Sequence, residues 1–304
     1  VVAAEPVLPP QSANPIGGTV LIRRARVETD RAIRDIQNWL LGAVSAIPTT
    51  RIEINTSRAP FLVNQTKYEY LISLPVLQQI VDGIKQRFAQ PAVSEPVVSR
   101  AVVAYEIGTA AAVTNFAAIT AGEITRQIGQ VLASDPWQRR VALVRARVFE
   151  QMQGFAAETA TDLGRVLMQG IENGQNPLMV ARSVRDSFDV SRSRAERIAR
   201  TELTGALRRA RWDETDALNA EVGIRTKMLW LSALSSTTRA THAAKHGLLY
   251  TAEEIRDFYS KDGNAINCKC SQTAVVVDAD GKPIVDRAIN RAKAAKAKYM
   301  AAQG

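Results

Sequence analysis

The chain is poor in the side chains that most cross-linking and most catalysis use: among 304 residues there are two cysteines, two histidines and 6% aromatics. Two cysteines exclude a disulfide framework and fit a reducing compartment. The sparse aromatics argue against the stacking platforms that read single-stranded nucleic acid. No run approaches the roughly 20 apolar residues that a membrane-spanning helix needs. The most hydrophobic stretches, such as Ala110 to Ile119, are short and alanine-rich, so no membrane partner is expected. The first residues also lack the charged and apolar regions of a secretory signal. What the chain does have is positive charge, a net +9 with a pI near 9.8, which favours polyanionic partners. Its hydrophobic content of 46% is enough for one to three domains with true cores.

The scarce metal-binding side chains are placed narrowly, since both histidines and both cysteines fall between His242 and Cys270. His242 and His246 stand four apart in THAAKHG, so on a helix their rings share a face, about 5–6 Å apart at Cβ. Cys268 and Cys270 form C-x-C in NCKCSQTAVVV, and on a strand alternate side chains share a face. A helix giving two nitrogens and a strand giving two sulfurs can build the tetrahedral Cys₂His₂ set that suits structural zinc. Two other readings stay open: a hydrogen-bonded core in which cysteine is a small buried hydrophobe, and nucleophilic chemistry. A disulfide between Cys268 and Cys270 would close a small strained ring.

The expected fold is α+β, with a mainly α-helical, extended first two-thirds, then a small α+β module and a basic C-terminal helix. Residues 1–20 are rich in proline and glycine and read as an extended arm, ordered only against a partner. In the helical region 21–150, Ile33, Ile36, Leu40 and Val44 recur at helical spacing, Arg51 to Ile54 is a short β-branched stretch, and Gln90 to Pro96 reads as a break. The apparent helix over 97–133 ends at Ser134-Asp135-Pro136. Residues 151–219 are again helical. Asn176 is placed to cap a helix with Pro177 in its first turn, and a further helix runs from about Arg192 to Leu218. The module, 220–285, has a strand at Ile224 to Leu231, a short helix closed by Gly247, a helix capped by Thr251, and a strand from Cys268 to Val277, with a turn at Asp280-Gly281. The tail, 286–304, is an alanine-rich helix whose Arg287, Arg291, Lys293, Lys296 and Lys298 form a polyanion-binding candidate.

One ordered set of strings is more specific than any of these elements. Arg197-Ile198-Ala199-Arg200-Thr201-Glu202 is followed by a tryptophan-bearing strand, then Thr238-Arg239 with His242 and Gly247, then Asn267-Cys268-Lys269-Cys270. This order resembles the phage head morphogenesis proteins, the minor capsid family typified by the F protein of phage Mu, over about residues 150–280. Members usually carry an acidic residue before the glycine, where this chain has His246. The family's histidine, acidic and two cysteine positions therefore map to His242, His246, Cys268 and Cys270. The resemblance implies a minor virion component at or near the portal vertex that acts in capsid assembly beside the portal protein and other head proteins. It also implies host cytoplasm as the place of assembly, packaged double-stranded DNA as a further partner, and no catalysis. The matched Glu202 is expected either to clamp helix to module through Arg200 or Arg239, or to be solvated.

Rival classes lack parts. A zinc hydrolase or nuclease of the H-E-x-x-H type has no general base here, because Ala243 follows His242. A zinc deaminase would need H-x-E and P-C-x-x-C. An ADP-ribosyltransferase, suggested by Arg200-Thr201-Glu202 and Ser235 to Thr238, would need E-x-E. A free nucleic-acid-binding regulator has the basic tail but no base-reading helix motif.

Overall fold

The computed structural model describes residues 2–9, 14–58 and 61–302, and the side chains of these except at 54–65. Residues 1 and 10–13 of the expected arm and 303–304 of the expected tail lie outside the described residues. In chain order the elements are α1 (Thr19–Ser45), β1 (Thr49–Arg58), β2 (Phe61–Tyr70), α2 (Leu74–Phe88), α3 (Pro91–Ile119), α4 (Ile128–Ala133), α5 (Asp135–Glu172), α6 (Pro177–Val222), β3 (Thr226–Leu231), α7 (Ala240–Lys245), β4 (Leu249–Tyr250), α8 (Ala252–Ser260), β5 (Ser271–Val276) and α9 (Arg287–Ala301). The fold is mainly helical, with the small α+β module near the C-terminus. Two compact units are formed, each discontinuous in sequence: Val1–Arg23 with Val98–Val148 and Ala199–Gly304, and Arg24–Val97 with Phe149–Ile198.

Within the second of these units, α1 buries Ile33, Ile36, Leu40 and Val44, the face that the spacing marks. The aromatic core is Phe88 stacked on Phe188 at 6.2 Å and edge-on to Phe155 at 6.4 Å. The mainly helical first half also holds β1 and β2, which extend well beyond the β-branched stretch at Arg51 to Ile54 and pair antiparallel in unbroken register from Thr49↔Tyr70 to Arg58↔Phe61. A polar two-stranded ladder draws on backbone bonds and cross-strand pairs rather than an apolar alternation, so periodicity passes over it. The hairpin is fastened by Tyr68 N–H donating to the Gly174 carbonyl at 2.9 Å and by the Tyr70 hydroxyl donating to the Gln175 carbonyl at 2.8 Å. Asn176 caps α6 as expected, its Oδ1 accepting from Leu178 N–H at 2.9 Å.

Three helices differ in their bounds from expectation, α3 ending at Ile119 rather than near residue 133. α3 starts at Pro91 and contains Pro96, so the expected break is absent: one proline occupies the first turn, where its missing N–H is harmless, and the other removes a single early hydrogen bond. α5 begins at Asp135 rather than ending a preceding helix there, and α6 runs unbroken for 46 residues. The segment Leu74–Ile119 also corrects the membrane expectation, because by length and composition it holds one stretch apolar enough to span a bilayer. Half of that stretch is packed inside the protein. Helix contact along α3 is close: a Cβ on Gly108 would fall 2.5 Å from the Leu207 carbonyl oxygen of α6.

The first unit holds the module. Its sheet has the order β4-β3-β5, antiparallel throughout, with Met228 opposite Tyr250 on one side and Ala274 on the other. Side chains alternate between its faces. Met228, Trp230 and Ala274 join Phe116, Ile119, Trp212 and Ile255 in one core. Leu229, Leu231 and Val275 face the other way, onto Ala288, Ile289 and Ala292 of α9. Because both faces are covered, β3 reads as the continuous apolar run MLWL rather than as an alternation. The expected basic helix is therefore also a packed layer of the module. Gly247, at φ +78°, lies against α9 so closely that a Cβ would come 3.0 Å from the Lys293 backbone nitrogen.

The described residues of the arm are bonded to other segments of their own unit. Ala4 N–H donates to the Ile119 carbonyl at 2.9 Å, Val7 N–H to Asn115 Oδ1 at 2.8 Å, and Ile16 N–H to the Lys269 carbonyl at 3.2 Å. Ile16 itself is buried. These bonds satisfy backbone groups that composition alone leaves open.

Candidate metal centre

Four segments of the first unit converge beside the end of β3. α7 carries His242, with its N-terminus fixed by Arg239, whose guanidinium donates to the carbonyls of Gly263, Asn264 and Ile266 at 2.8–3.1 Å. That contact pulls the 263–266 loop against α7. The loop then delivers Asn267, held at φ +53°, whose N–H donates to Thr201 Oγ1 of α6 at 3.1 Å. Cys268 and Cys270 follow in this loop, ahead of β5, so the strand alternation assumed from the sequence does not orient them. The turn does so instead, with Cys270 N–H donating to Cys268 Sγ at 3.4 Å.

His242 Nδ1 lies 3.4 Å from Cys268 Sγ and 3.5 Å from Cys270 Sγ, and all three residues are buried. Ligands on a tetrahedral zinc, with Zn–S about 2.3 Å and Zn–N about 2.0–2.1 Å, stand roughly 3.6 Å apart from N to S. The observed separations need to open by only a tenth or two of an ångström (about 0.1–0.2 Å) to meet that edge.

His246 does not complete the set. It is buried, and its Nδ1 accepts the Ser232 N–H at 2.8 Å. Burial lowers its pKa, opposed by this hydrogen bond and reinforced by Lys296, so the ring stays neutral and keeps a lone pair for Ser232. The same serine donates through Oγ to the His242 carbonyl at 2.6 Å and accepts from Trp230 Nε1 at 3.0 Å. His246 therefore splints the end of β3 to the end of α7.

The sulfurs are electrostatically unequal. Hydrogen bonding with Cys270, then with His242, the Arg208 charge and Tyr259, holds Cys268 far below the usual thiol range, to about 3, against the opposing effect of burial. The same sharing, with burial, pushes Cys270 up. The Tyr259 hydroxyl accepts from Gln272 Nε2 at 3.2 Å, which leaves its proton for Cys268 Sγ, 3.3 Å away. Arg208 is almost fully buried. It donates to the Cys268 carbonyl at 3.0 Å and lies 4.5 Å over the Tyr259 ring. A buried thiolate is costly unless cationic charge is close. Arg208 supplies part of that charge, and a bound metal ion would supply the rest at the sulfurs themselves. The His242 ring is packed edge-on against Phe258 at 5.1 Å and Trp230 at 6.1 Å.

Sequence reasoning missed Arg208, Ser232 and Tyr259, and it noted Trp230 only as the tryptophan of its strand. Arg208 alone left a trace, a charged residue at i+7 from Thr201 and i−4 from Trp212 on one helical face. The expected clamp is built differently. Glu202 is buried, with its carboxylate 3.6 Å from Arg147 and from Arg209. Desolvation raises its pKa, with Arg147 and Arg208 opposing. Arg239 is directed to the loop carbonyls, and Thr201 accepts from the Asn267 N–H of the module. A second buried carboxylate, Glu214, accepts from Arg140 at 3.0 Å.

A family model described as Phage Mu protein F like protein matches residues 161–273. This lies within the stretch of about 150–280 that carries the resemblance, and it contains Thr201, Arg208, Arg239 and every residue of the cluster. No curated protein and no solved structure matches the chain.

Proposed function

We propose that this Phage Mu protein F-like chain is a structural minor head protein of a tailed phage, acting in capsid assembly at or near the portal vertex beside the portal protein and other head proteins. The match over residues 161–273 carries the reading. It points to phage head morphogenesis, and hence to the virion as the site of action and host cytoplasm as the place of assembly. The contacts give it a physical basis, because the matched strings meet in space: Thr201 with Asn267, Arg208 with Cys268, and Arg239 with the loop before them. Their common task is to hold α6 against the module, a scaffolding role rather than a catalytic one. Purified particles should contain the protein at a copy number close to that of the portal. Its absence from particles that retain portal would defeat the proposal.

Within this reading, His242, Cys268 and Cys270 hold one structural zinc ion, a donor set of soft sulfur and borderline nitrogen that suits zinc. His246 acts as a splint.

Packaged DNA is the proposed polyanionic partner of α9. Arg287, Lys293 and Lys298 are exposed, whereas Arg291 pairs with Glu5 at 3.3 Å and Lys296 donates to the Ala244 carbonyl. Deleting the helix would uncover the sheet, so charge is the variable to change. Replacing Arg287, Lys293 and Lys298 by glutamine should leave folding intact. It should also reduce the log–log salt slope of DNA binding by up to about 2.7, roughly 0.9 for each phosphate that is no longer neutralised. An unchanged slope would place the DNA-binding surface elsewhere.

A further inference from the structure

The cluster is one donor short of a closed tetrahedral site, and the shortfall has a location. A cavity of about 50 Å³ is lined by all three of His242, Cys268 and Cys270, together with Ser235, Thr238 and Asn267. Arg239 and Lys269 also border it, and no carboxylate does. His246 is not part of its wall, and the Nδ1 of that ring is already engaged by Ser232. Among the described residues, no fourth His, Cys, Asp or Glu joins the three-residue group.

We infer that the metal centre is an open one: the protein supplies three ligands, and the fourth position faces this cavity and takes an exchangeable water molecule or small inorganic anion. The inference rests on the zinc reading above and deepens it. Three protein ligands with one exchangeable position is the arrangement that distinguishes open zinc sites from closed structural ones. The cavity is large enough for a metal-bound water molecule or a small inorganic anion. The character of the wall sets the preferred charge. Lys269 and Arg239 bring cations to the rim, and hydroxyls of Ser235 and Thr238 with the Asn267 amide offer hydrogen bonds to a bound oxygen or anion. Ser235 and Thr238 are held in place as a turn, Ser235 N–H donating to Thr238 Oγ1 at 2.9 Å. The Tyr299 hydroxyl of α9 donates to the Ser235 carbonyl at 3.1 Å, which ties the outer wall of the cavity to a packed helix.

The test uses the full chain with cobalt(II) in place of zinc. One equivalent should bind, with intense visible bands of a four-coordinate site and thiolate-to-cobalt charge transfer in the near ultraviolet. Titration with azide should then shift the visible bands saturably while the charge-transfer bands persist, which separates an anion-accepting position from a merely hydrated one. X-ray absorption of the unmodified zinc protein should fit two sulfurs, a single imidazole and one further light ligand. His246→Gln should leave the metal content and the cobalt spectrum as they are. Bands indifferent to azide together with scattering from two imidazoles would overturn the inference in favour of a closed site that includes His246, while leaving the zinc reading intact. Failure of either metal to bind would remove the zinc reading itself. Because the absorption measurement needs no variant, a His246→Gln protein that fails to fold leaves the test decisive.

Discussion

Stripping metal from the full chain with a chelator should lower the stability of the unit that holds the module by more than about 4 kcal/mol, the range that metal loss reaches and ordinary point substitutions seldom do. The size of the effect follows from what the ligands fasten. α7 has six residues, too few to stand as a helix alone, and the segment from Lys261 to Cys270 lacks any regular element. Without a central ion, the two buried sulfurs and one imidazole retain only hydrogen bonds, among themselves and from Tyr259 and the Cys270 N–H to Cys268, and the ordering entropy of this loop, about 1–2 kcal/mol for each backbone residue, loses its main offset. Cys268→Ser should reproduce the loss and, decisively, should make the protein indifferent to chelator. The hydrogen-bonded-core alternative gives a different pattern: Cys268→Ser would cost only about 1–3 kcal/mol for an imperfectly paired hydroxyl, and chelator would change nothing. Thermal or denaturant unfolding of wild type and variant, each with and without chelator, separates the two.

Trp230→Ala is expected to cost about 3–5 kcal/mol, as large-to-small changes at fully buried aromatic positions do. Trp230 has no exposed surface. Its ring stacks on Tyr259 at 5.4 Å and meets Phe258 at 5.2 Å and Tyr250 at 6.0 Å edge-on. Offset and edge-to-face pairs of this kind each add about 0.5–1.5 kcal/mol beyond area burial. The indole N–H also donates to Ser232, the residue that joins His242 to His246, so the variant should weaken metal retention as well as lower the midpoint of unfolding. Trp230→Phe keeps most of the volume and loses the donor, and it should cost less than half as much. A Trp230→Ala penalty below about 1 kcal/mol would show that this aromatic cluster is not the core of the module.

What is legible in the sequence follows local rules. The three- and four-residue spacing of Ile33, Ile36, Leu40 and Val44, the Asn176 and Thr251 caps, and the glycine stop at Gly247 all depend on neighbours within a few positions, and each is found in the structure. Elements depart from expectation where local and tertiary signals conflict. Pro96 argues for a break but lies early enough in α3 to be carried. The segment from Cys268 to Cys270 reads as the start of a strand because apolar residues follow it, whereas Arg239 and Thr201 hold it as a loop.

The candidate site divides in the same way. Scarcity and spacing alone draw attention to His242, His246, Cys268 and Cys270, and the ordered strings alone carry the resemblance to the family. Only the tertiary structure separates the two histidines, because their shared helical face says nothing about what stands opposite each ring. Cys268 and Cys270 stand opposite His242, and the backbone N–H of Ser232 stands opposite His246. A ligand and a splint have the same sequence signature, and the difference between them is a partner brought in from another segment of the chain. Arg208 shows the same limit. On paper it is one arginine among many in a basic helix, and burial against Tyr259 and the Cys268 carbonyl makes it part of the centre, since the cost of desolvating a guanidinium and the bonds that offset that cost exist only after folding.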